Sequence, residues 1–133
     1  MWVASVQLPG LAFSLPGRIV VATTLGVWGL VFAVAGMIAF RNAMTTFNPM
    51  QPGAASVLVT SGAYRLSRNP MYIGLLLTLA GWAVFLSHTL AVLFLPAFVA
   101  YMNRFQISPE EKALSSKFGK EFAAYKQSVR RWL

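Results

Sequence analysis

Residues 67–105 read SRNPMYIGLLLTLAGWAVFLSHTLAVLFLPAFVAYMNRF. Two apolar runs, 71–87 and 89–105, meet at Ser87-His88, and each is about 25 Å long if helical. The simplest reading is a tight helical hairpin whose open ends, near residues 70 and 106, are neighbours. Arms of this length cross a bilayer with slight thinning or flanking anchors. Pro96 falls inside the second arm, where proline kinks a helix.

Ahead of the hairpin, residues 19–40 hold no charged residue, and Arg18 and Arg41 bracket them. As a helix they extend about 33 Å, enough for a bilayer core. Gly26, Gly29 and Gly36 offer points for close helix contact. The expected fold is therefore all-α and integral to a membrane, with three transmembrane helices at 19–40, 71–87 and 89–105. Residues 1–18 are apolar but broken by Pro9, Gly10 and Pro16, and read as a re-entrant or interfacial stub. The chain is long enough for one domain, 1–133.

Composition supports lipid as the solvent. The chain is 57% hydrophobic and 11% charged, with mean hydropathy +0.63, whereas a soluble domain carries about 25% charged residues. Without Cys there is no disulfide framework, thiolate site or cysteine nucleophile. One His and no Asp make a zinc or di-metal site a poor reading. The net charge of +8 flanks apolar runs, so it points to anionic headgroups and not to nucleic acid.

Residues 42–70 are polar and rich in turn formers, with SVLVTSG (56–62) as a strand-like or interfacial insert. After residue 106 the pattern changes again. Leu114, Phe118, Phe122, Tyr125, Val129 and Trp132 recur at spacings of 4, 4, 3, 4 and 3, with Lys and Arg mostly off that stripe. This predicts an amphipathic tail helix, bent at Gly119, lying on the membrane surface or on the bundle. Arg41, Arg65 and Arg68 in the loop, and the basic residues from Arg104 onward, place the 41–70 loop and the tail together in the cytoplasm by the positive-inside rule. His88 then sits at the far tip, about 25 Å from the other polar groups.

Two constellations on the shared face have both a plain and a functional reading. In Arg68-Asn69-Pro70-x-Tyr72, Asn69 can cap the helix, Pro70 can start it, and Arg68 and Tyr72 can anchor at the interface. In Ser108-Pro109-Glu110-Glu111, Ser108 and Glu111 fit a capping box. Yet Glu110 and Glu111 are two of only three carboxylates in the chain, and the hairpin brings them close to Arg68.

With these residues placed, the chain resembles the isoprenylcysteine carboxyl methyltransferase family and its phospholipid methyltransferase relatives. The resemblance runs through TTFNP (45–49), LVTSGAYRLSRNPMYIG (58–74), the hairpin, and RFQISPEEKALSSKFGKEFAAYKQSVRRWL (104–133). It implies a membrane enzyme that uses S-adenosyl-L-methionine, with a cofactor pocket at the cytosolic surface. Tyr64, Asn69, Pro70, Tyr72, Glu110 and Glu111 fall where the resemblance implies cofactor contacts, and Arg68 and Arg104 are the arginines available to grip a carboxylate. Asn69 stands where eukaryotic members carry His, and the 1–18 stub stands where members often have a further helix. A carboxylate acceptor is ionised at pH 7 and needs no general base, which suits a chain with so few bases and favours an isoprenylcysteine-type acceptor. The partners implied are a lipophilic or prenylated substrate and membrane lipid. The competing readings are an NADPH-dependent membrane reductase of the sterol-reductase type and a membrane module without enzymatic activity.

Overall fold

The structure, a computed structural model, describes residues 1–43 and 56–133. Among these the regular structure is helical, apart from one isolated bridge between Ala12 and His88. A short α1 (Trp2–Gln7) and a 3-10 turn (Pro9–Leu11) lead into α2 (Arg18–Asn42). A second 3-10 turn (Gly62–Arg65) precedes α3 (Pro70–Leu86), which turns into α4 (Thr89–Tyr101). A π-helical segment (Met102–Ile107) carries α4 on into α5 (Ser108–Phe118), and α6 (Lys120–Ser128) follows.

Two stretches are long and apolar enough to cross a membrane: Arg18–Asn42, and the continuous helical run Thr89–Phe118. Three such helices are expected from the sequence and two meet the length; α3, with 17 residues, is a shorter apolar helix. At about 25 Å it falls short of the roughly 30 Å hydrocarbon layer. Its limits have local causes. Pro70 occupies the first turn, where its missing N–H costs nothing, and Ser87 ends the helix in a left-handed conformation with φ 47°.

Pairing of α2 with α3 rests on residues without side chains. A Cβ on Gly29 would lie 2.5 Å from Thr78 Oγ1, and one on Gly74 would lie 2.5 Å from the Gly29 carbonyl oxygen. Gly36 is equally tight against Met71. Helices in lipid gain little from burying apolar surface, so close backbone approach and van der Waals contact hold them together. Gly26 differs from the expectation, since a Cβ there would meet nothing within 4 Å.

His88 is at the hairpin tip, as expected, but it is fully buried there. Its Nδ1 accepts the Leu90 N–H and caps α4, and its Nε2 lies 2.8 Å from the Leu8 carbonyl oxygen. The Phe13 N–H donates to the Ser87 carbonyl and Thr89 Oγ1 donates to the Leu11 carbonyl. These bonds tie residues 8–13 to the tip, which is the place of the stub in the fold.

At the opposite end, Ala39, Leu58, Val59, Tyr64, Phe122 and Tyr125 form a buried apolar cluster. It joins the end of α2, the segment after residue 56, and α6. The stretch SVLVTSG forms no strand; Leu58 and Val59 are inserted into this cluster instead. The tail is two helices and not one, because Gly119 adopts φ 50° between α5 and α6, a conformation that favours glycine. The break lets α6 turn Phe122 and Tyr125 inward. Burying a side chain such as Phe122 contributes about 1.5–3 kcal/mol.

Candidate functional site

Where the hairpin opens, α3 begins beside the start of α5. The Tyr72 hydroxyl donates to Glu110 Oε1 at 2.5 Å, and Gln106 Nε2 donates to the same oxygen at 2.8 Å. Gln106 reaches Glu110 from one turn earlier, within the π-helical segment. Such segments re-register the side chains that follow them and are frequent at functional sites.

The neighbouring Glu111 is taken by two arginines. Arg68 Nη2 lies 3.2 Å from Oε1, while Arg131 places Nη2 2.6 Å from Oε2 and Nε 3.1 Å from Oε1. The capping-box reading of Ser108 and Glu111 is thereby corrected. The helix is already running when it reaches Ser108, so no cap is needed, and Ser108 Oγ donates back to the Asn103 carbonyl at 2.7 Å.

The loop before α3 is held by the C-terminal segment. Arg68 N–H donates to the Arg130 carbonyl at 2.9 Å, and Asn69 Nδ2 donates to the Arg131 carbonyl at 2.8 Å. Ser67 Oγ accepts the Asn69 N–H and donates to the Arg131 carbonyl. Asn69 therefore binds the C-terminal segment and does not cap α3 with its side chain. Trp132 Nε1 completes the attachment by donating to Asn103 Oδ1 at 3.1 Å.

Between these elements lies a cavity of about 80 Å³ that opens to the outside. Tyr64, Arg68, Asn69, Tyr72, Glu110 and Glu111 all contribute to its wall. Phe40, Leu58, Leu114 and Phe122 supply apolar surface. Two residues expected at the site lie elsewhere. Arg104 is exposed and outside the cavity, and Pro70 is buried against α2 near Gly36 without lining it. The segment TTFNP (45–49) lies outside the described residues.

Burial sets the charge states. Glu110 lies beyond the apolar part of its helix, which ends at Phe105. Desolvation raises its pKa above the ordinary 4.5, against the hydrogen bonds from Tyr72 and Gln106, which lower it; the charge of Glu111 adds to the rise. Desolvation also raises Tyr64, with Tyr125, Glu110 and Tyr72 adding to the shift. It raises Tyr125 too, against the opposing charge of Arg68. Both hydroxyls stay protonated, and Tyr125 donates to the Tyr64 carbonyl at 2.7 Å. Arg68 Nε and Nη1 are buried without a partner among the described residues. A buried guanidinium with idle donors in a cavity wall is costly unless a ligand completes it.

Sequence reasoning did not find Arg131 or Gln106. Gln106 was within reach, four residues before Glu110 on one helix face. Nothing in the periodicity of the tail marks Arg131.

The profile of the phospholipid methyltransferase family matches residues 17–121. The chain belongs to that family, which stands in one group with the isoprenylcysteine carboxyl methyltransferases; the family is one of membrane methyltransferases. An uncharacterised protein of Haemophilus influenzae is 51% identical over 63 residues, covering 47% of this chain and 100% of that protein. No solved structure matches the chain.

Proposed function

We propose that the chain transfers a methyl group from S-adenosyl-L-methionine to a lipophilic acceptor bearing a carboxylate, of isoprenylcysteine type. The observation that carries this reading is the joining of Arg68, Tyr72, Glu110 and Glu111 around one cavity, with Arg68 Nε and Nη1 unpartnered among the described residues. The mixed wall of the cavity suits a ligand with apolar and charged parts. When bound, the cofactor supplies an electrophilic methyl group on a sulfonium.

Glu110 offers a carboxylate for the cofactor's ammonium or ribose hydroxyls, held in place by Tyr72 and Gln106. Glu111 is already spent on Arg68 and Arg131, so its part is to hold Arg68. With Arg104 outside the cavity, Arg68 is the arginine left to grip the acceptor's carboxylate. An ionised carboxylate needs no base, so the residues act by orientation and by excluding water, which can supply about 7–11 kcal/mol. The lipid chain of the acceptor enters from the bilayer side. The 41–70 loop and the C-terminus face the cytoplasm, with the 17-residue α3 crossing a locally thinned bilayer as the other arm of the hairpin.

A second acceptor class follows from the family that matches, the amine of a phospholipid headgroup. An amine must first lose a proton, and Glu110 is the base nearest to hand. One experiment separates the two. Purified protein in lipid nanodiscs is given methyl-labelled S-adenosyl-L-methionine with either N-acetyl-S-farnesylcysteine or phosphatidylethanolamine. Label in the prenylcysteine ester supports the carboxylate reading; label in the phospholipid alone replaces it with the amine; label in neither counts against both.

A further inference from the structure

Glu111 has two oxygens, and Arg131 contacts both, at 2.6 and 3.1 Å. Arg68 reaches this carboxylate through one nitrogen only, at 3.2 Å on the oxygen it shares with Arg131 Nε. The remaining nitrogens of Arg68 are buried and without a partner among the described residues. A guanidinium has five N–H groups, and its strongest contact with a carboxylate is two parallel bonds. If the second oxygen of Glu111 were vacant, Arg68 would take it. Its donors would then be satisfied inside the protein, and the cavity would lose them.

We infer that Arg131 is a positioning residue: by saturating Glu111 it keeps Nε and Nη1 of Arg68 free for an anionic group of the substrate. This rests on the reading of Arg68 as the acceptor's grip. The C-terminal segment is built for such a role. Its backbone carbonyls at Arg130 and Arg131 bind the Ser67–Asn69 loop that carries Arg68, so both arginines are set in one register. Trp132 fixes the end of the segment to Asn103.

The test is made on full-length protein in detergent micelles, labelled with nitrogen-15 at arginine and without ligand. The Arg68 Nε–H signal is assigned by its loss in Arg68→Lys. In Arg131→Ala it moves downfield as Arg68 pairs with Glu111, and in Arg131→Ala/Glu111→Gln it returns toward the wild-type position. Arg131→Lys, which offers a single point charge, gives the same downfield movement and serves if the alanine variant does not fold. In methyl transfer to N-acetyl-S-farnesylcysteine, Arg131→Ala raises KM roughly tenfold or more with kcat little changed, the scale of one charge-assisted hydrogen bond. The double variant is read by the Arg68 signal alone, because Glu111 also holds Arg68. A merely structural Arg131 predicts an unmoved Arg68 signal in Arg131→Ala and in Arg131→Lys, and that result overturns the inference. If the wild type methylates no carboxylate, the acceptor reading fails, and the Arg68 signal still decides the role of Arg131.

Discussion

The Tyr72 hydroxyl donates to Glu110 Oε1 across 2.5 Å, a contact between residues 38 positions apart. It closes the open end of the hairpin and sets one carboxylate at the cavity wall. Hydrogen bonds to charged groups contribute about 1.5–3 kcal/mol. Tyr72→Phe should lower stability by an amount in that range and weaken cofactor binding. A cycle with Glu110→Gln, read by thermal unfolding in micelles, should show the two changes to be less than additive.

Acidification tests Glu110 separately. Its pKa lies above the ordinary 4.5, chiefly through burial. A carboxylate raised in this way favours the folded state most fully below its unfolded value, and that contribution is lost as pH rises through the folded value. Binding of the cofactor's ammonium has the opposite sign, because it needs the ionised form. Affinity for S-adenosylhomocysteine should therefore fall as pH drops through the raised value, before the ordinary glutamate range is reached. Glu110→Gln should bind weakly at all pH and lose this dependence.

Glu111 holds two guanidinium groups, and its own side chain is only 12% exposed. Removing one partner of a buried pair leaves the other charge uncompensated, at a cost of about 3–5 kcal/mol. Glu111→Ala should lower the melting temperature more than any single change at Arg104, which is exposed.

The α2–α3 contact makes a paired prediction. Gly74→Ala places a methyl against the Gly29 carbonyl and Ala33, with backbone on the other side and no room to yield. It should destabilise by about 1–3 kcal/mol, the usual cost of overfilling a close contact. Gly26→Ala meets open space and should be neutral or stabilising by about 0.5–1 kcal/mol through helix propensity. Unfolding midpoints of the two variants check both.

Charge-free runs made α2 and the hairpin legible before any coordinates, because lipid demands them. The hairpin alone then placed Arg68 and Tyr72 beside Glu110 and Glu111. What stayed hidden depends on register and on distant closure. Ser108-Pro109-Glu110-Glu111 has the pattern of a helix start, but the π-helical segment delivers a helix already formed, which frees Glu111 for ion pairs. Arg104 sits at the end of an apolar run like an anchor, and its position leaves it outside the cavity. Arg131 reaches Glu111 only because Gly119 breaks the tail and the last residues return over the loop, and no spacing in the sequence encodes that return.

The most direct measurement is calorimetric titration of S-adenosylhomocysteine into purified protein in nanodiscs, with Glu110→Ala as the comparison. Saturable binding at one site per chain, lost in the variant, is the expected result. No binding heat with either S-adenosylhomocysteine or S-adenosyl-L-methionine, together with a melting temperature raised by NADPH, would contradict it.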